Sequence, residues 1–287
     1  MNIRRIAALL LGLVVIVFSN SLTIFHTPKA IAAPQSETKF TPQQQEIIKQ
    51  LQTATVIYLG EIHDRPSDRQ NQLSIIKALF AHQPHIAIGM EMFQRPAQPI
   101  LDRYSSGKIT EAQLREQTEF DRRWGYSWED YAPILRQAKL DKLPIIALNT
   151  PTEITRQVAR QGLESLTTAD LKYIPPITEI DRTNTKYQQL ILTSYQQHAQ
   201  NASITSKNFD RFYTAQLLWD ETMADRITNF ITTHPNHQII ILVGQAHILN
   251  NYGIPDRVKR RIKTISQKTI QLQPDNNPKS TDFIWNP

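Results

Sequence analysis

Glu61, His63, Glu91, Asn149 and His247 are the side chains best suited to move a proton or hold a ligand, because each follows an apolar run. Residues 55–59 run into Gly60-Glu61-Ile62-His63-Asp64, and residues 85–90 into Glu91-Met92-Phe93. Residues 142–148 lead to Asn149-Thr150-Pro151, and residues 238–243 to Gly244-Gln245-Ala246-His247. A carboxylate and an imidazole together suit general acid–base work, with Glu61 or Glu91 as base and His247 steadying a developing charge. Glu61, His63 and His247 also suit an open divalent-metal site, and mixed N/O donors fit Zn, Mn, Co or Fe. Taken singly, each residue reads as a cap or a solvated loop side chain. Together they require a scaffold that brings four distant segments to one edge.

The apolar runs supply that scaffold. They are short, rich in Ile, Leu and Val, and separated by helical stretches, which points to parallel strands joined by right-handed crossovers. The expected fold class is α/β, a mostly parallel central sheet flanked by helices. In such a sheet all carboxyl ends face one edge, and ligands bind in the crevice outside it. Helices are expected near residues 42–52, 67–81, 98–105, 110–118 and 128–139. An insertion of about ninety residues separates the third and fourth strands, and its Gln/Thr/Asn-rich middle, 181–208, reads as helical cover or a lid. The helix after it is clearer. Phe212, Ala215, Trp219, Met223, Ile227 and Phe230 recur at helical spacing, the stripe of an amphipathic helix. Residues 264–272 read as one more strand.

Two further segments could wall the site. Arg122-Arg123-Trp124-Gly125-Tyr126-Ser127-Trp128-Glu129-Asp130-Tyr131 packs four aromatics and two arginines into ten residues of a chain that is 8% aromatic. Arginine suits carboxylates and aromatic faces suit a flat apolar ligand, so Arg122 or Arg123 is expected to face the site while Trp128 packs inward. On the long helix, Asp220 reads either as a solvated acid or as the partner that orients a site histidine.

The first residues belong to another function. Arg4 and Arg5 precede an apolar stretch over 6–18, and Ala30-Ile31-Ala32 has a small-x-small cleavage pattern. This order predicts a secretory signal peptide over 1–32, with an apolar run too short for a comfortable membrane span. Processing would remove Arg4, Arg5 and Lys29 and no acid, halving a formal charge of +6 and leaving no case for nucleic acid. The expected organisation is a linker and leading helix over 33–53, one α/β domain over 54–272, and a polar tail over 273–287. The sequence has no Cys. Disulfides, thiol nucleophiles, Cys-ligated haem and the lipidated cysteine of a lipoprotein are therefore excluded. The mature chain is expected outside the cytoplasm, periplasmic or extracellular, with no stable membrane span.

Gly60-Glu61-Ile62-His63-Asp64, Glu91-Met92-Phe93, Trp124-Gly125-Tyr126-Ser127-Trp128, Trp219-Asp220-Glu221-Thr222-Met223-Ala224 and Val243-Gly244-Gln245-Ala246-His247 occur in that order. The set resembles the ChaN-like family, across roughly residues 54–263. That family is similar to a wider group with the Tiki-type metalloproteases and the erythromycin esterases. The resemblance implies an exported haem binder in haem or iron uptake, with a tyrosine as iron ligand and two haems paired in a homodimer. Tyr126, Tyr213 and Tyr252 are the candidates for that ligand by location, and Arg122, Arg123, Asn149 and Asp220 for the rest of the haem site. The Tiki-like members imply a metal held by Gly60 to His63, Gly244 to His247 and Glu61 or Glu91. The esterase members imply a Glu and a His that activate water on a small-molecule or peptide substrate. Haem binding is the first expectation, hydrolysis at the same site the second, and a non-catalytic binding module the third.

Overall fold

Why these residues form these elements is clearest at the strands. The computed structural model describes residues 39–198, 206–273 and 281–286, within the compact unit Lys39–Pro287. The expected signal peptide lies outside the described residues. Strand β1, Val56–Glu61, and strand β4, Gln238–Gly244, are buried along their whole length. A strand covered on both faces cannot alternate polar and apolar residues, which is why they read as continuous apolar runs. Strands β2 (Ile86–Gln94), β3 (Ile145–Asn149), β5 (Gln267–Leu272) and β6 (Phe283–Trp285) complete the sheet. Its order is β3-β2-β4-β1-β5-β6, and every pairing is parallel.

Helices cover both faces. Helices α1 (Pro42–Leu51), α2 (Pro66–His82), α3 (Gln98–Ser105), α4 (Glu111–Gln117), α5 (Phe120–Arg123) and α6 (Trp128–Leu140) bury apolar residues against Ile57, Leu59, Ile88, Met90 and Leu242. Thr41 and Thr110 each close a capping box at the start of their helix, satisfying otherwise orphaned backbone donors. After β3 come α7 (Thr152–Gln161), α8 (Thr185–His198) and α9 (Ser206–Thr233), and after β4 comes α10 (Ile254–Arg261). Met223, Ile227 and Phe230 of α9, with Ile254 and Val258 of α10, pack on the opposite face against Tyr58, Ile239 and Ile241. A third cluster joins α7, α8 and the first half of α9 through Ile154, Val158, Tyr187, Tyr213 and Leu217.

Three details depart from the expectation. Strand β2 continues past Met90 to Gln94, with a register irregularity between those residues. Lys142, Leu143 and Pro144 lie outside β3, because Lys142 adopts a positive φ in the turn that ends α6. The tail read as polar contributes β6, whose Trp285 is buried and meets Phe40 edge-on. Among the described residues no helix is long and apolar enough to cross a membrane.

The order of the strands decides where a ligand can sit. From β1 the chain moves toward β2 on one side, and from β4 it moves toward β5 on the other, yet β1 and β4 are neighbours. Their carboxyl ends therefore flank the topological switch point of the sheet, where the two crossovers diverge.

Candidate functional site

His63 follows β1 and His247 follows β4, one on each side of that switch point. Each imidazole is bound through Nδ1 to a carboxylate. His63 Nδ1 lies 2.9 Å from Glu61 Oε1, and His247 Nδ1 lies 2.5 Å from Asp220 Oδ1. Between them stands Glu91, which accepts the Gly244 N–H at 2.7 Å through Oε2 and has Oε1 3.4 Å from His247 Nε2. Glu61, His63, Glu91, Asp220 and His247 thus gather in one cluster, drawn from β1 and the turn after it, β2, α9 and the turn after β4.

The buried acids are possible because each is answered. Burying an unpaired carboxylate costs several kcal/mol, so its oxygens must find donors. Glu61 accepts the Tyr131 hydroxyl at 2.6 Å and the Gln72 amide at 2.8 Å, with Arg69 Nη1 at 3.3 Å. Asp220 accepts the Tyr187 hydroxyl at 2.6 Å and has Arg257 at 3.8 Å. Asp68 is answered on one side only: Oδ2 accepts the Ile62 N–H at 2.8 Å, Oδ1 is buried without a partner among the described residues, and burial raises the carboxyl to about 6. Gly244 matters for close approach, since a Cβ there would come 2.8 Å from His63 Nε2.

Electrostatics divides the cluster into unlike members. Burial alone would raise the Glu91 carboxyl, but His247, His63 and the Gly244 N–H outweigh it and hold it at about 2. Burial alone would lower His247, yet Glu91 and Asp220 carry it to about 10. Glu91 and His247 are therefore an ion pair at neutral pH. His63 is also raised, its burial outweighed by the Glu61 hydrogen bond and the Glu91 charge.

The outer wall is aromatic. The His63 ring meets Trp124 edge-on at 4.8 Å and Tyr126 at 5.1 Å. Gly125 takes φ +83° between them, a conformation that suits glycine and lets both rings lie against the same imidazole. Tyr126 is 38% exposed, and its hydroxyl makes no hydrogen bond among the described residues. Trp128 and Tyr131 turn inward to the core. A cavity of about 250 Å³, which none of the His63, Trp124 and Tyr126 rings lines, is bounded by Phe93, Gln94, Arg123, Glu153, Ile154 and Tyr173.

The remaining expected residues are placed as follows. Asn149 donates its side-chain amide to the Glu91 carbonyl and accepts from the Thr150 N–H, so it braces backbone. Arg123 binds Gln94, Glu119 and Glu153 at the rim, while Arg122 is 62% exposed and paired with Glu119. Tyr252 is half-buried against the third apolar cluster, and Tyr213 is fully buried there. The metal reading finds no support in the geometry. Among the described residues no group of three or more His, Asp and Glu side chains is arranged to hold a metal ion. The Glu61 oxygens and the Nδ1 atoms of His63 and His247 are turned to each other and to Tyr131, Gln72 and Asp220.

Sequence reasoning missed Arg69, Gln72, Tyr131, Tyr187 and Arg257. The first two carried a signal. Arg69, Gln72, Ile76 and Leu79 share one buried stripe of α2, so polar side chains stood where the helical period demanded apolar ones. Tyr187 lies in the segment read as cover and carried none.

A model of the family described as haem-binding uptake, Tiki superfamily, ChaN matches residues 47–258. The chain belongs to this family. Among solved structures it is similar to ChaN of Campylobacter jejuni, described for cofacial haem binding, with 21% identity over 84% of this chain and 90% of that one, at a TM-score of 0.66. It is also similar to an erythromycin esterase, EreC, in its open conformation, with 14% identity, 83% and 74% coverage and a TM-score of 0.51. Protein RETICULATA-RELATED 5, chloroplastic, of Arabidopsis thaliana is 22% identical over 269 residues, 84% of this chain. The chain spans 35% of the length of that relative.

Proposed function

We propose that this protein is exported and binds haem at the carboxyl edge of its sheet, over the face made by His63, Trp124 and Tyr126. It passes haem on in uptake or handling, with no bond made or broken. Family membership supports the ligand class, and one observation carries the place. Tyr126 is an exposed phenol with no hydrogen bond among the described residues, held against a site histidine. Of the tyrosines considered as iron ligand, Tyr213 is closed off in the core and Tyr252 is half-buried, which leaves Tyr126 as the one open to a flat ligand. Flat aromatic walls and a cationic rim are what a porphyrin with two propionates requires. Arg122 and Arg123 serve that rim, since exposed pairs such as theirs with Glu119 are worth little and can exchange for a propionate.

The buried acids do not oppose this reading. Glu61 and Asp220 face the histidines, and Glu91 faces Gly244 and His247, so none presents an open carboxylate to the haem face. Hydrolysis is supported less well. A carboxylate held at about 2 is a weak base, and an imidazolium held at about 10 parts with its proton poorly at neutral pH.

The test is the ferric complex of Tyr126→Phe and Tyr252→Phe. The phenolate-to-iron charge-transfer band is expected in the wild-type complex and in Tyr252→Phe, and lost in Tyr126→Phe. Loss in Tyr252→Phe with retention in Tyr126→Phe would contradict the placement.

A further inference from the structure

The two site histidines are held by the same arrangement built twice from unrelated segments. In the first, Tyr131 of α6 donates to Glu61 at 2.6 Å, Glu61 takes His63 Nδ1 at 2.9 Å, and Arg69 of α2 lies over the Tyr131 ring at 5.3 Å. In the second, Tyr187 of α8 donates to Asp220 at 2.6 Å, Asp220 takes His247 Nδ1 at 2.5 Å, and Arg257 of α10 lies over the Tyr187 ring at 4.6 Å. The arginines also do matching work on the backbone. Arg69 binds the Ile62 and His63 carbonyls at 2.9 and 3.0 Å, and Arg257 binds the Tyr252 and Gly253 carbonyls, both at 2.7 Å. Gly253 is packed so tightly on the loop after β4 that a Cβ would lie 2.1 Å from the His247 carbonyl oxygen.

Both modules are sealed. Tyr131, Glu61, Tyr187 and Asp220 are at most 1% exposed, and Arg69 and Arg257 only 2% and 3%. In the second module the phenol and arginine take Asp220 Oδ2 and leave Oδ1 to His247 Nδ1, whereas in the first Tyr131, Arg69 and His63 Nδ1 share Glu61 Oε1 while Gln72 holds Oε2. Burial and the neighbouring carboxylate push both phenols well above their ordinary range, so each remains a donor. A carboxylate fixed in this way accepts from Nδ1–H and leaves Nε2 as the atom turned away from it. His63 Nε2 indeed faces Gly244, and His247 Nε2 faces Glu91.

We infer that Tyr131 and Tyr187 are positioning residues, each fixing one site histidine as an Nδ1–H donor with Nε2 turned toward the Gly244 and Glu91 side of the site, through Glu61 and Asp220 respectively. A phenylalanine at either place would fill the core equally well. It would take one hydrogen-bond donor from the carboxylate, leaving Gln72 and Arg69 at Glu61 and Arg257 at Asp220, and so hold the ring nitrogen's partner less firmly. The inference concerns how the histidines are held and is independent of what the site binds, so a failure of the haem reading leaves it standing.

The experiment is proton–nitrogen NMR of the histidine rings in the haem-free protein, residues 33–287, as wild type, Tyr131→Phe and Tyr187→Phe. Wild type is expected to show two strongly deshielded, slowly exchanging Nδ1–H signals, assigned by His63→Gln and His247→Gln. Tyr131→Phe should move the His63 signal upfield and leave that of His247 in place, and Tyr187→Phe should do the reverse, with unchanged far-ultraviolet circular dichroism. Folded variants in which neither signal moves, or in which each variant moves both alike, would overturn the inference. Should a variant not fold, the wild-type spectrum decides alone, because the absence of either deshielded Nδ1–H removes the arrangement.

Discussion

Glu91 and His247 hold each other charged, and the pH dependence of that pair can be worked out from their shifts. Glu91 is lowered from 4.5 to about 2, so its contribution is present above 4.5 and is lost as pH falls through about 2. His247 is raised from 6.5 to about 10, so its contribution is complete below 6.5 and is lost as pH rises through about 10. The pair therefore stabilises the fold most between those ordinary values. The melting-temperature gap between wild type and His247→Gln should be widest near pH 6 and narrow steadily toward pH 10. A gap that stays constant across that range would contradict the ion pair. Much of this scale was legible in the sequence. Glu61, His63, Glu91 and His247 were found because charged residues closing apolar runs must meet at one sheet edge. Asp220 was left between two readings, and only its distance to His247 decides between them. Tyr131 and Tyr187 were not legible, because a buried tyrosine bound to a carboxylate has the same sequence signature as one packed in a core.

At the scale of elements, long apolar runs announced themselves and short or polar ones did not. Strand β4 is readable because Ile239 to Val243 are uninterrupted apolar residues, all buried. Strand β2 was cut short at Glu91 because glutamate is a poor strand residue, and it continues because the Gly244 N–H answers that carboxylate. Strand β6 was missed for its length, three residues in an Asn/Pro-rich tail. Its importance is nevertheless measurable. Trp285 is buried against Phe40, and the adjoining Asn286 carbonyl accepts the Gln44 side-chain amide at 2.7 Å, tying the tail to α1. Trp285→Ala should cost about 3–5 kcal/mol by denaturant titration. A loss of a few tenths would mean that the tail strand adds nothing to the core.

For the whole molecule, the parallel sheet was legible and the strand order was not. Apolar runs separated by helical stretches predict parallel crossovers, but nothing in them states that β4 inserts between β1 and β2. That insertion is what makes β1 and β4 neighbours and brings His63 to His247. The family resemblance, carried by short motifs in a fixed order, holds over residues 47–258. Residues 1–32, expected from their sequence to be an export signal, lie outside the described residues.

The central claim is that a haem site lies at this switch point, and one titration tests it. Haem is added to purified residues 33–287 and followed at the Soret band, in wild type and in His63→Ala/His247→Ala. The account predicts a saturable shift of fixed stoichiometry in wild type and an affinity at least about tenfold weaker in the double variant, a difference of about 1.4 kcal/mol. A wild-type protein with no saturable shift, or a folded double variant that binds haem as tightly as wild type, would contradict it.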